Sequence, residues 1–596
     1  MRILVFNAGS SSLKFGVFDL GAEAAQVFKG AFERFRDGGC DFHFRRQDRD
    51  DRGTAPHADL AAATAAVPAA LADWGVDGID AIGHRLAHGG PDFAGPARLD
   101  AESLPRIEAL TPLAPLHNSA NLEAVRIAME RWPELPQIGV FDTSFHLTNP
   151  SRATTYAVPE AWRQAGLRRY GFHGTSHKYV AHRAAEEMGQ KVTDLRIVSV
   201  HLGNGASVCA VNLGRSMDSS MGLTPLEGLV MGTRSGDVDP GAFGFLSRQL
   251  GLSIEQIEDA LYSDSGLKGL TGSSDMRDVE DRAAAGDTAA QLAINLYAYR
   301  ARKYIGAYAA AMGGVDAVVF TGGIGENSAS MRRRICDGLD FMGLRLDHDR
   351  NQAVDLAGRA APQIQAYGSR VAVIVTETAE QLQIAREVAA HLARPAPEAR
   401  PIPVAVSGRH VHLSAEAVAA LFGPGYELTP GKPLRQPGNW AAEERVTLEG
   451  PKGRLDRVAI LGPLRKRTQI EVSRTDSFAL GIDAPVRDSG ALDGTPVVRL
   501  IGPAGHLDTD GLIVAARHIH TNPEDAAAMG LEDGQFVDIR ISNGVRDLIF
   551  DRTLIRVQPG AFTEMHIDTD EANAAGLGTE GEGALAQESA TLAAAD

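Results

Sequence analysis

A run of alternating prolines about two-thirds of the way along the chain sets the strongest limit on its fold. Residues 393–403 read Ala-Arg-Pro-Ala-Pro-Glu-Ala-Arg-Pro-Ile-Pro. Proline has no backbone N–H and a fixed φ, so this segment favours an extended spacer over a helix or a central strand. A chain of 596 residues also exceeds what one hydrophobic core holds. We therefore expect two domains, at residues 1–392 and 404–577, joined by a linker at 393–403.

The two sides of this spacer have different patterns of apolar residues. Before it, short apolar runs alternate with Ala-rich helical segments such as 289–312 and 379–392, which predicts an α/β fold. After it, short β-rich runs are separated by Gly and Pro, which predicts a mainly β domain with few helices. The stretch 578–596 is rich in Gly, Ala and Glu and is predicted to be a disordered tail.

Composition excludes several classes of partner. The formal charge of −17 argues against nucleic acid, because phosphate contacts need clustered Lys and Arg. The three cysteines are widely spaced without a CxxC motif, so neither a disulfide framework nor a thiolate zinc site is expected. The apolar stretch 305–324 is broken by glycines and Asp316, which favours a helix and a buried strand over a membrane span. Because the sequence shows no secretory signal pattern, we expect a cytoplasmic protein. Because nucleic acid and membrane partners are not indicated, we expect it to act on small molecules.

Three turns rich in Gly, Ser and Asn each follow an apolar strand, at residues 7–12, 203–207 and 321–327. Glycines let backbone N–H groups converge on an anion, and hydroxyls and Lys14 add further donors. One such turn alone is more often an ordinary tight turn, but three of them favour a nucleotide triphosphate as the ligand. None has the spacing of a P-loop or of a dinucleotide-binding turn.

Between these turns lie polar clusters inside otherwise apolar segments. They are Gly83-His84-Arg85-Leu86-Ala87-His88-Gly89-Gly90, Ala114 to Asn118, Phe141 to His146, Tyr170 to His177, Thr224 to Gly228, Met231 to Asp237 and Ser274 to Arg277. Together they resemble the acetate kinase family over about residues 1–392. The resemblance implies the actin-like ATPase fold, with two α/β lobes of the same design and the nucleotide between them. It also implies ATP and ADP as substrates, Mg²⁺ as cofactor, and a homodimer formed through this domain.

The resemblance also assigns roles to individual positions. It implies that Asn7 and Glu380 bind Mg²⁺, that Arg85 binds the carboxylate, and that Asp142, His173 and Arg234 are catalytic. The implied nucleotide-binding residues are Lys14, His201, Leu202, Gly203, Asn204, Gly205, Asp275, Met276, Arg277, Gly323, Ile324, Gly325, Glu326 and Asn327. The implied acyl pocket consists of Ala87, Leu116, Phe172 and Pro225. The sequence departs from the family at Ala87, where valine is usual, and at Gln381, where a second glutamate is usual.

The chemistry agrees with these roles. Transfer of a phosphoryl group to a carboxylate brings two anions together, so the protein must neutralise their approach. The fork of an arginine guanidinium suits both carboxylate and phosphate. Asp142 is expected to orient an arginine or the substrate, because acetate has no proton to remove at neutral pH.

Two histidine pairs occur in the second domain, in Arg409-His410-Val411-His412 and Arg517-His518-Ile519-His520. On a strand this spacing points both imidazoles to one face, where they can bind one metal ion; surface or hydrogen-bonded histidines are the alternative. The repeated pattern suggests two related halves.

With residues 462–473, these motifs resemble the phosphate propanoyltransferase family of propanediol-utilisation type, over about residues 401–577. The resemblance implies two small β-barrels and a two-zinc site, with one zinc at His410, His412 and Glu471. The second zinc would be at His518, His520 and His566, and Arg465 would hold phosphate.

The two implied reactions share acyl phosphate. We therefore predict a bifunctional enzyme that interconverts acyl-CoA and phosphate with acyl phosphate and CoA, and acyl phosphate and ADP with acetate or propionate and ATP. One alternative is a kinase that carries a non-catalytic, zinc-binding, CoA-sensing domain. Another is a kinase for a different carboxylate, such as butyrate.

Overall fold

The computed structural model describes residues 1–9, 11–21, 24–393, 400–544, 546–586 and 592–593, without the side chains of residues 115, 116, 359, 592 and 593. The described residues fall into an N-terminal unit, up to Ala393, and a C-terminal unit after it. Most of the expected linker, residues 394–399, lies outside the described residues. Within the described ranges, none of the helices is long and apolar enough to cross a bilayer.

The N-terminal unit contains two β-sheets. Their strands are β1 (Arg2–Gly9), β2 (Ser12–Leu20), β3 (Ala24–Arg36), β4 (Gly39–Arg46), β5 (Arg49–Ala55), β6 (Ala81–Leu86), β7 (Ala97–Arg98), β8 (Gln137–Phe141), β9 (Arg196–Leu202), β10 (Ala206–Asn212), β11 (Arg215–Ser219), β12 (Ala317–Thr321) and β13 (Ala372–Val375). The first sheet has the order β5-β4-β3-β2-β1-β6-β8-β7 and the second has the order β11-β10-β9-β12-β13.

Both sheets contain the same five-strand pattern. In each, an antiparallel hairpin leads into parallel strands: β1 pairs with β2 and then β6, and β9 pairs with β10 and then β12. The spatial order of these five strands in each lobe is third, second, first, fourth, fifth. This repetition confirms the two lobes of one design that the sequence resemblance implied.

Fifteen helices surround these sheets within the described residues. They are α1 (Leu60–Asp73), α2 (Ser103–Ala109), α3 (Pro115–Arg131), α4 (Ser151–Thr154), α5 (Glu160–Gln164), α6 (Gly174–Glu187), α7 (Gly241–Leu250), α8 (Ile254–Ser263), α9 (Gly266–Thr271), α10 (Met276–Ala284), α11 (Thr288–Ala311), α12 (Gly322–Asn327), α13 (Ala329–Cys336), α14 (His348–Gln352) and α15 (Glu380–Ala393). The segment expected as a helix followed by a buried strand is the end of α11 followed by β12.

Helices α6 and α15 join the two lobes through one apolar core. Val180 of α6 and Ile384 of α15 are fully buried in a cluster with Val5 of the first sheet and Val319 of the second. Burial of such side chains stabilises each by about 1.5–3 kcal/mol relative to exposure. This shared core fixes the carboxyl ends of β1, β6, β8, β9 and β12 relative to one another.

The C-terminal unit is mainly β, as predicted. Its strands are β14 (Ile402–Ser407), β15 (His410–His412), β16 (Pro430–Pro433), β17 (Trp440–Glu449), β18 (Arg454–Gly462), β19 (Gln469–Glu471), β20 (Val486–Arg487), β21 (Val498–Ile501), β22 (His506–Thr509), β23 (Leu512–Ala515), β24 (His518–Thr521), β25 (Gln535–Ile541), β26 (Leu548–Val557), β27 (Glu564–Asp568), β28 (Glu580–Leu585) and β29 (Leu592–Ala593). Its helices are α16 (Ala415–Phe422), α17 (Arg474–Leu480), α18 (Pro523–Met529) and α19 (Thr569–Ala574).

These strands form one closed barrel and one open sheet rather than two closed barrels. The barrel runs β26-β24-β27-β14-β28-β25 and closes where β25 pairs with β26. The open sheet, a half-barrel, runs β20-β23-β19-β15-β18-β17-β21-β22, with β16 on β17. In each, a histidine strand has one parallel and one antiparallel neighbour: β15 with β18 and β19, and β24 with β26 and β27. The two related halves inferred from the repeated histidine pattern therefore share a pairing scheme.

One expectation for the C-terminal end is wrong. Residues 580–585, assigned to a disordered tail, form β28, which pairs with β14 and β25 inside the barrel. Their Gly and Glu content gives them little intrinsic strand preference, so the open edges of two neighbouring strands determine their conformation. Residues 587–591 and 594–596 lie outside the described residues.

Candidate functional sites: a cleft of arginines and histidines, and a cavity with two histidine clusters

Adjacent strands of the first lobe bring Asn7, Arg85 and Asp142 together. Arg85 Nε donates to Asp142 Oδ1 (3.1 Å), its Nη2 donates to Asp142 Oδ2, and its Nη1 donates to Asn7 Oδ1 (3.1 Å). Burial alone would lower the pKa of Arg85, but the charges of Asp142 and Glu380 outweigh it, so the pKa lies above its usual range. Asp142 therefore orients the carboxylate-binding arginine proposed from the sequence.

Glu380, at the first turn of α15, belongs to the same cleft. Its charge acts on the pKa values of Arg85, Asp142 and His201. The neighbouring Gln381 instead contacts β2, where its Oε1 lies 2.9 Å from the position that a Cβ on Gly16 would occupy. The departure from the family at Gln381 therefore falls outside the cluster that surrounds Glu380.

His173 enters the cleft from the turn before α6. It has a left-handed backbone (φ 57°), and its ring stacks on that of His201 with centroids 4.4 Å apart. Its Nδ1 is 2.9 Å from Ser207 Oγ, and Ser176 Oγ is 2.8 Å from His201 Nδ1. Burial holds the pKa values of both imidazoles below their usual range, so both are neutral hydrogen-bonding groups at pH 7.

Arg234 lies beside His173. A Cβ on Gly205 would be 3.5 Å from His173 Nε2 and 3.8 Å from Arg234 Nη1, so both side chains converge on this glycine turn. Arg234 Nη1 also donates to the carbonyl of Pro225 (3.2 Å). Burial lowers the pKa of Arg234, and among the described residues it forms no salt bridge with a carboxylate.

His117 belongs to the same cleft, although the sequence analysis gave it no role. Burial and, to a smaller extent, the charges of Arg234 and Arg85 together lower its pKa to about 4, so it lies near both arginines. The sequence feature that could have identified His117 is its position in the polar cluster 114–118.

The turns of the second lobe that are predicted to bind nucleotide are held close together. Gly232 N donates to the carbonyl of Asn204 (3.0 Å), and a Cβ on Gly232 would lie 1.9 Å from Asn204 Oδ1 and 3.2 Å from Ser274 O. A larger residue at position 232 would therefore require the Asn204 side chain to move away. Asp275 caps α10 and pairs with Arg277, and both side chains are exposed.

The third turn, residues 321–327, contains the whole of the short helix α12. Glu326 Oε1 accepts from Gly322 N (3.0 Å) and Thr378 N (2.9 Å), which ties the turn to the segment that carries Glu380. The buried Arg332 donates to the carbonyls of Gly325 (2.9 Å) and Glu326 (2.8 Å). These contacts fix the predicted turn 323–327 in place.

Two predicted positions are less tightly connected to the cleft. Lys14 pairs in register with Asn7, but its exposed Nζ lies 3.7 Å from Glu33 Oε1. Of the proposed acyl pocket, Ala87, Phe172 and Pro225 are buried, whereas the side chain of Leu116 lies outside the described residues. The His88 ring, next to Ala87, packs against Phe172 with centroids 5.6 Å apart.

In the C-terminal unit, the first histidine cluster forms across two antiparallel strands. Its members are His410, His412 and Glu471, whose candidate ligand atoms all lie within 4.8 Å of one another. His410 Nδ1 is 2.9 Å from the Gly408 carbonyl and His412 Nδ1 is 3.1 Å from the Leu461 carbonyl. These carbonyls hold the protons on Nδ1 and leave each Nε2 lone pair for a metal. The residues therefore fit a zinc ion with one position open for substrate.

The second cluster forms in the barrel from His518, His520 and His566. His518 pairs in register with His566, and the three ring centroids lie 4.8–5.3 Å apart. His518 Nδ1 is 2.9 Å from the Ala516 carbonyl, and its Nε2 faces His520 Nε2 at 3.2 Å, so both Nε2 atoms point to one position in the cluster. Burial lowers the pKa of His518 to about 3 and of His520 to about 4, so these imidazoles are neutral, as metal ligands must be.

Both clusters line one cavity of about 900 Å³. Arg465 also lines it, and its Nη1 donates to Ser489 Oγ (3.2 Å). The cavity thus combines two groups of imidazole nitrogens with the cationic side chain of Arg465, which can bind an anionic group of a substrate.

Comparison with known proteins identifies a family for each unit. The sequence model of the Acetokinase family matches residues 2–386, and that of phosphate propanoyltransferase matches residues 403–578. The acetate kinase of Carboxydothermus hydrogenoformans is 45% identical over 396 residues, which cover 65% of this chain and 98% of that protein.

Solved structures give the same result for the N-terminal unit. An acetate kinase from Porphyromonas gingivalis superposes with a TM-score of 0.61 at 40% identity, covering 66% of this chain and 99% of that one. A propionate kinase from Francisella tularensis gives a TM-score of 0.61 at 40% identity, and the match covers 65% of this chain and 98% of that one. The chain therefore belongs to the acetokinase family and carries a phosphate propanoyltransferase domain C-terminal to its kinase domain.

Proposed function

We propose that the N-terminal unit transfers a phosphoryl group between ATP and acetate or propionate. The observation that supports this most directly is the convergence of Arg234 and His173 on the Gly205 turn, in the same cleft as the Arg85–Asp142 pair. Arg85 would hold the carboxylate, while Arg234 and His173 would donate to the transferring phosphoryl group. Mg²⁺ bound at Asn7 and Glu380 would supply positive charge to the nucleotide phosphates.

We propose that the C-terminal unit interconverts acyl-CoA and phosphate with acyl phosphate and CoA. The supporting observation is the single cavity shared by the two histidine clusters and Arg465. Zinc ions held there would supply Lewis acidity toward the thioester carbonyl. Arg465 would hold the attacking phosphate, and the backbone carbonyls behind His410, His412 and His518 would keep the metal-binding nitrogens oriented.

Two assays on the purified full chain test this proposal. With ATP, Mg²⁺ and acetate, the chain should form acyl phosphate that hydroxylamine traps. With zinc, acetyl-CoA and phosphate, it should release a titratable CoA thiol only when phosphate is present. Failure of the first assay with folded protein would refute the kinase activity. Failure of the second alone would favour a non-catalytic, CoA-sensing C-terminal unit.

The acyl pocket leads us to expect good use of propionate. Ala87 is buried beside the substrate arginine Arg85, and its small side chain leaves room for one more methylene. Ala87→Val should therefore lower kcat/KM for propionate, relative to acetate, by about tenfold or more. Ala390→Val, at an exposed position of α15, serves as a control. Equal or improved propionate use in Ala87→Val would refute this expectation.

We also propose that the N-terminal unit forms a homodimer through α7 and the start of α8. Among the described residues, α7 contains no buried side chain, although it carries Phe245 (57% exposed) and Leu250 (66%), and Ile254 (66%) follows. Several large apolar side chains exposed on one short segment are typical of an interface. Phe245→Glu should shift the chain to monomers in sedimentation velocity, whereas Phe478→Glu in α17 should not. A monomeric parent chain would contradict the proposal.

A further inference from the structure

Arg556 is a cationic residue of the C-terminal cavity that the sequence motifs did not indicate. It lies on β26 and pairs in register with His520 on the parallel strand β24. Paired residues of neighbouring strands point to the same face of a sheet, so Arg556 stands beside the second histidine cluster. It lines the same cavity as Arg465.

Arg465 has the corresponding place at the first cluster. It follows β18, the parallel neighbour of the histidine strand β15, and its backbone N–H donates to the Leu413 carbonyl (2.9 Å), one residue beyond His412. Each histidine strand therefore has an arginine at the carboxyl end of its parallel neighbour. The two halves of the unit bring these arginines to one cavity from different sheets.

The arginines of the cavity differ in how many of their donors carboxylates already use. Arg435 is held by two carboxylates, Glu564 (2.8 Å) and Glu580 (2.5 Å). Arg465 donates to a serine hydroxyl, and Arg556 uses one nitrogen, Nη2, to donate to Asp488 Oδ1 (3.4 Å). Both guanidinium groups thus keep N–H donors for a ligand.

The charges of these two arginines also act on each other. Desolvation lowers the pKa of Arg465; the charge of Glu471 raises it, and the charge of Arg556 lowers it, so the two arginines lie within electrostatic reach of each other. Two neighbouring cations with spare donors repel each other until an oxyanion lies between them.

We propose that Arg556 and Arg465 together hold one phosphate group in the cavity that both line. This inference rests on the proposed acyltransferase function and extends it by a second phosphate-binding residue. A tetrahedral dianion offers enough oxygens for both guanidinium forks. Inorganic phosphate is the proposed ligand, and the phosphates of CoA are the other source of the same chemistry.

The test uses the zinc-loaded full chain and its Arg556→Gln variant. Titration calorimetry with inorganic phosphate should show a dissociation constant raised about tenfold or more, because a charged hydrogen bond is lost. In steady state, KM for phosphate should rise by a similar factor, while KM for acetyl-CoA, the zinc content and kinase turnover stay within about twofold. Arg540→Gln, an exposed arginine on β25, is the control with the same charge change.

Two further variants separate binding from a structural role. Arg556→Lys should recover only part of the phosphate affinity, because an ammonium lacks the fork. Asp488→Asn removes the ion pair but keeps the guanidinium, so it should leave phosphate affinity unchanged or improved. An equal loss in Asp488→Asn and Arg556→Gln would assign Arg556 to that ion pair and overturn the proposal.

Other results would also overturn it. One is an unchanged phosphate affinity in Arg556→Gln. Another is an increase in KM for acetyl-CoA alone, because that result would mean that Arg556 binds the phosphates of CoA. The acyltransferase function is tested independently of Arg556: it is refuted if the parent chain binds phosphate but releases no CoA from acetyl-CoA. In that case the loss of phosphate binding in Arg556→Gln would still support the two-arginine site.

Discussion

Arg234→Ala should lower kcat for acyl phosphate formation about a hundredfold or more, the usual cost of losing one transition-state stabiliser. Arg234 has a backbone carbonyl as its hydrogen-bond partner, and burial lowers its pKa. Its charge is therefore available to the equatorial oxygens of the transferring phosphoryl group. Arg85, in contrast, is already held by Asp142. The loss should fall on kcat more than on KM for ATP, because this contact strengthens in the transition state.

The matched control is Arg215→Ala, at an exposed position of β11 in the same lobe. It should retain parental kcat in the hydroxylamine assay. Arg234→Lys should recover part of the rate, since it restores charge without the planar fork. If folded Arg234→Ala kept kcat within about fivefold of the parent, Arg234 would have no role in the transition state.

The sequence predicted the strands that carry the kinase site because they are buried on both faces. Val318, Val319 and Phe320, for example, form a continuous apolar run that ends at a glycine turn. Such a run has few alternatives to a central parallel strand. The polar residues that follow it therefore fall at the carboxyl edge of the sheet, where the site forms.

The hairpin of β4 and β5, at the edge of the first sheet, has no apolar run that would indicate its strands. Residues 45–52 read Arg-Arg-Gln-Asp-Arg-Asp-Asp-Arg, a composition typical of a loop, yet they contribute to β4 and β5. Cross-strand pairs hold this edge: His43 Nε2 lies 3.1 Å from Asp50, which also contacts Arg52 (3.2 Å). Charges on an exposed edge strand discourage pairing with other chains, and they also hide the strand from pattern analysis.

For the C-terminal site, too, the sequence predicted local geometry but not the contacts between residues far apart in the chain. The spacing of His410 and His412 predicted that both side chains point to one face, because side chains alternate along a strand, and their candidate ligand atoms lie within 4.8 Å of each other. That two clusters from different sheets share a cavity depends on contacts between residues more than 100 positions apart. For the same reason Arg556, in a strand without a motif, was not a candidate.

Removing either histidine cluster should abolish the acyltransferase reaction and spare the kinase. His410→Ala and His518→Ala should each reduce bound zinc from about two ions per chain to about one, because each removes one of three ligands. Phosphate-dependent CoA release should fall on the order of a hundredfold or more, since Lewis acidity is lost at the thioester. Metal analysis by mass spectrometry and the thiol assay, on one preparation, measure both effects.

The control is His506→Ala, because His506 is exposed on β22 of the same unit and does not line the cavity. It should keep parental zinc content and CoA release. Kinase turnover should remain parental in all three variants, since the kinase residues belong to the N-terminal unit. Unchanged CoA release in a zinc-depleted variant would mean that the histidine clusters serve structure alone. Parental zinc content in both His410→Ala and His518→Ala would instead show that the metal binds elsewhere.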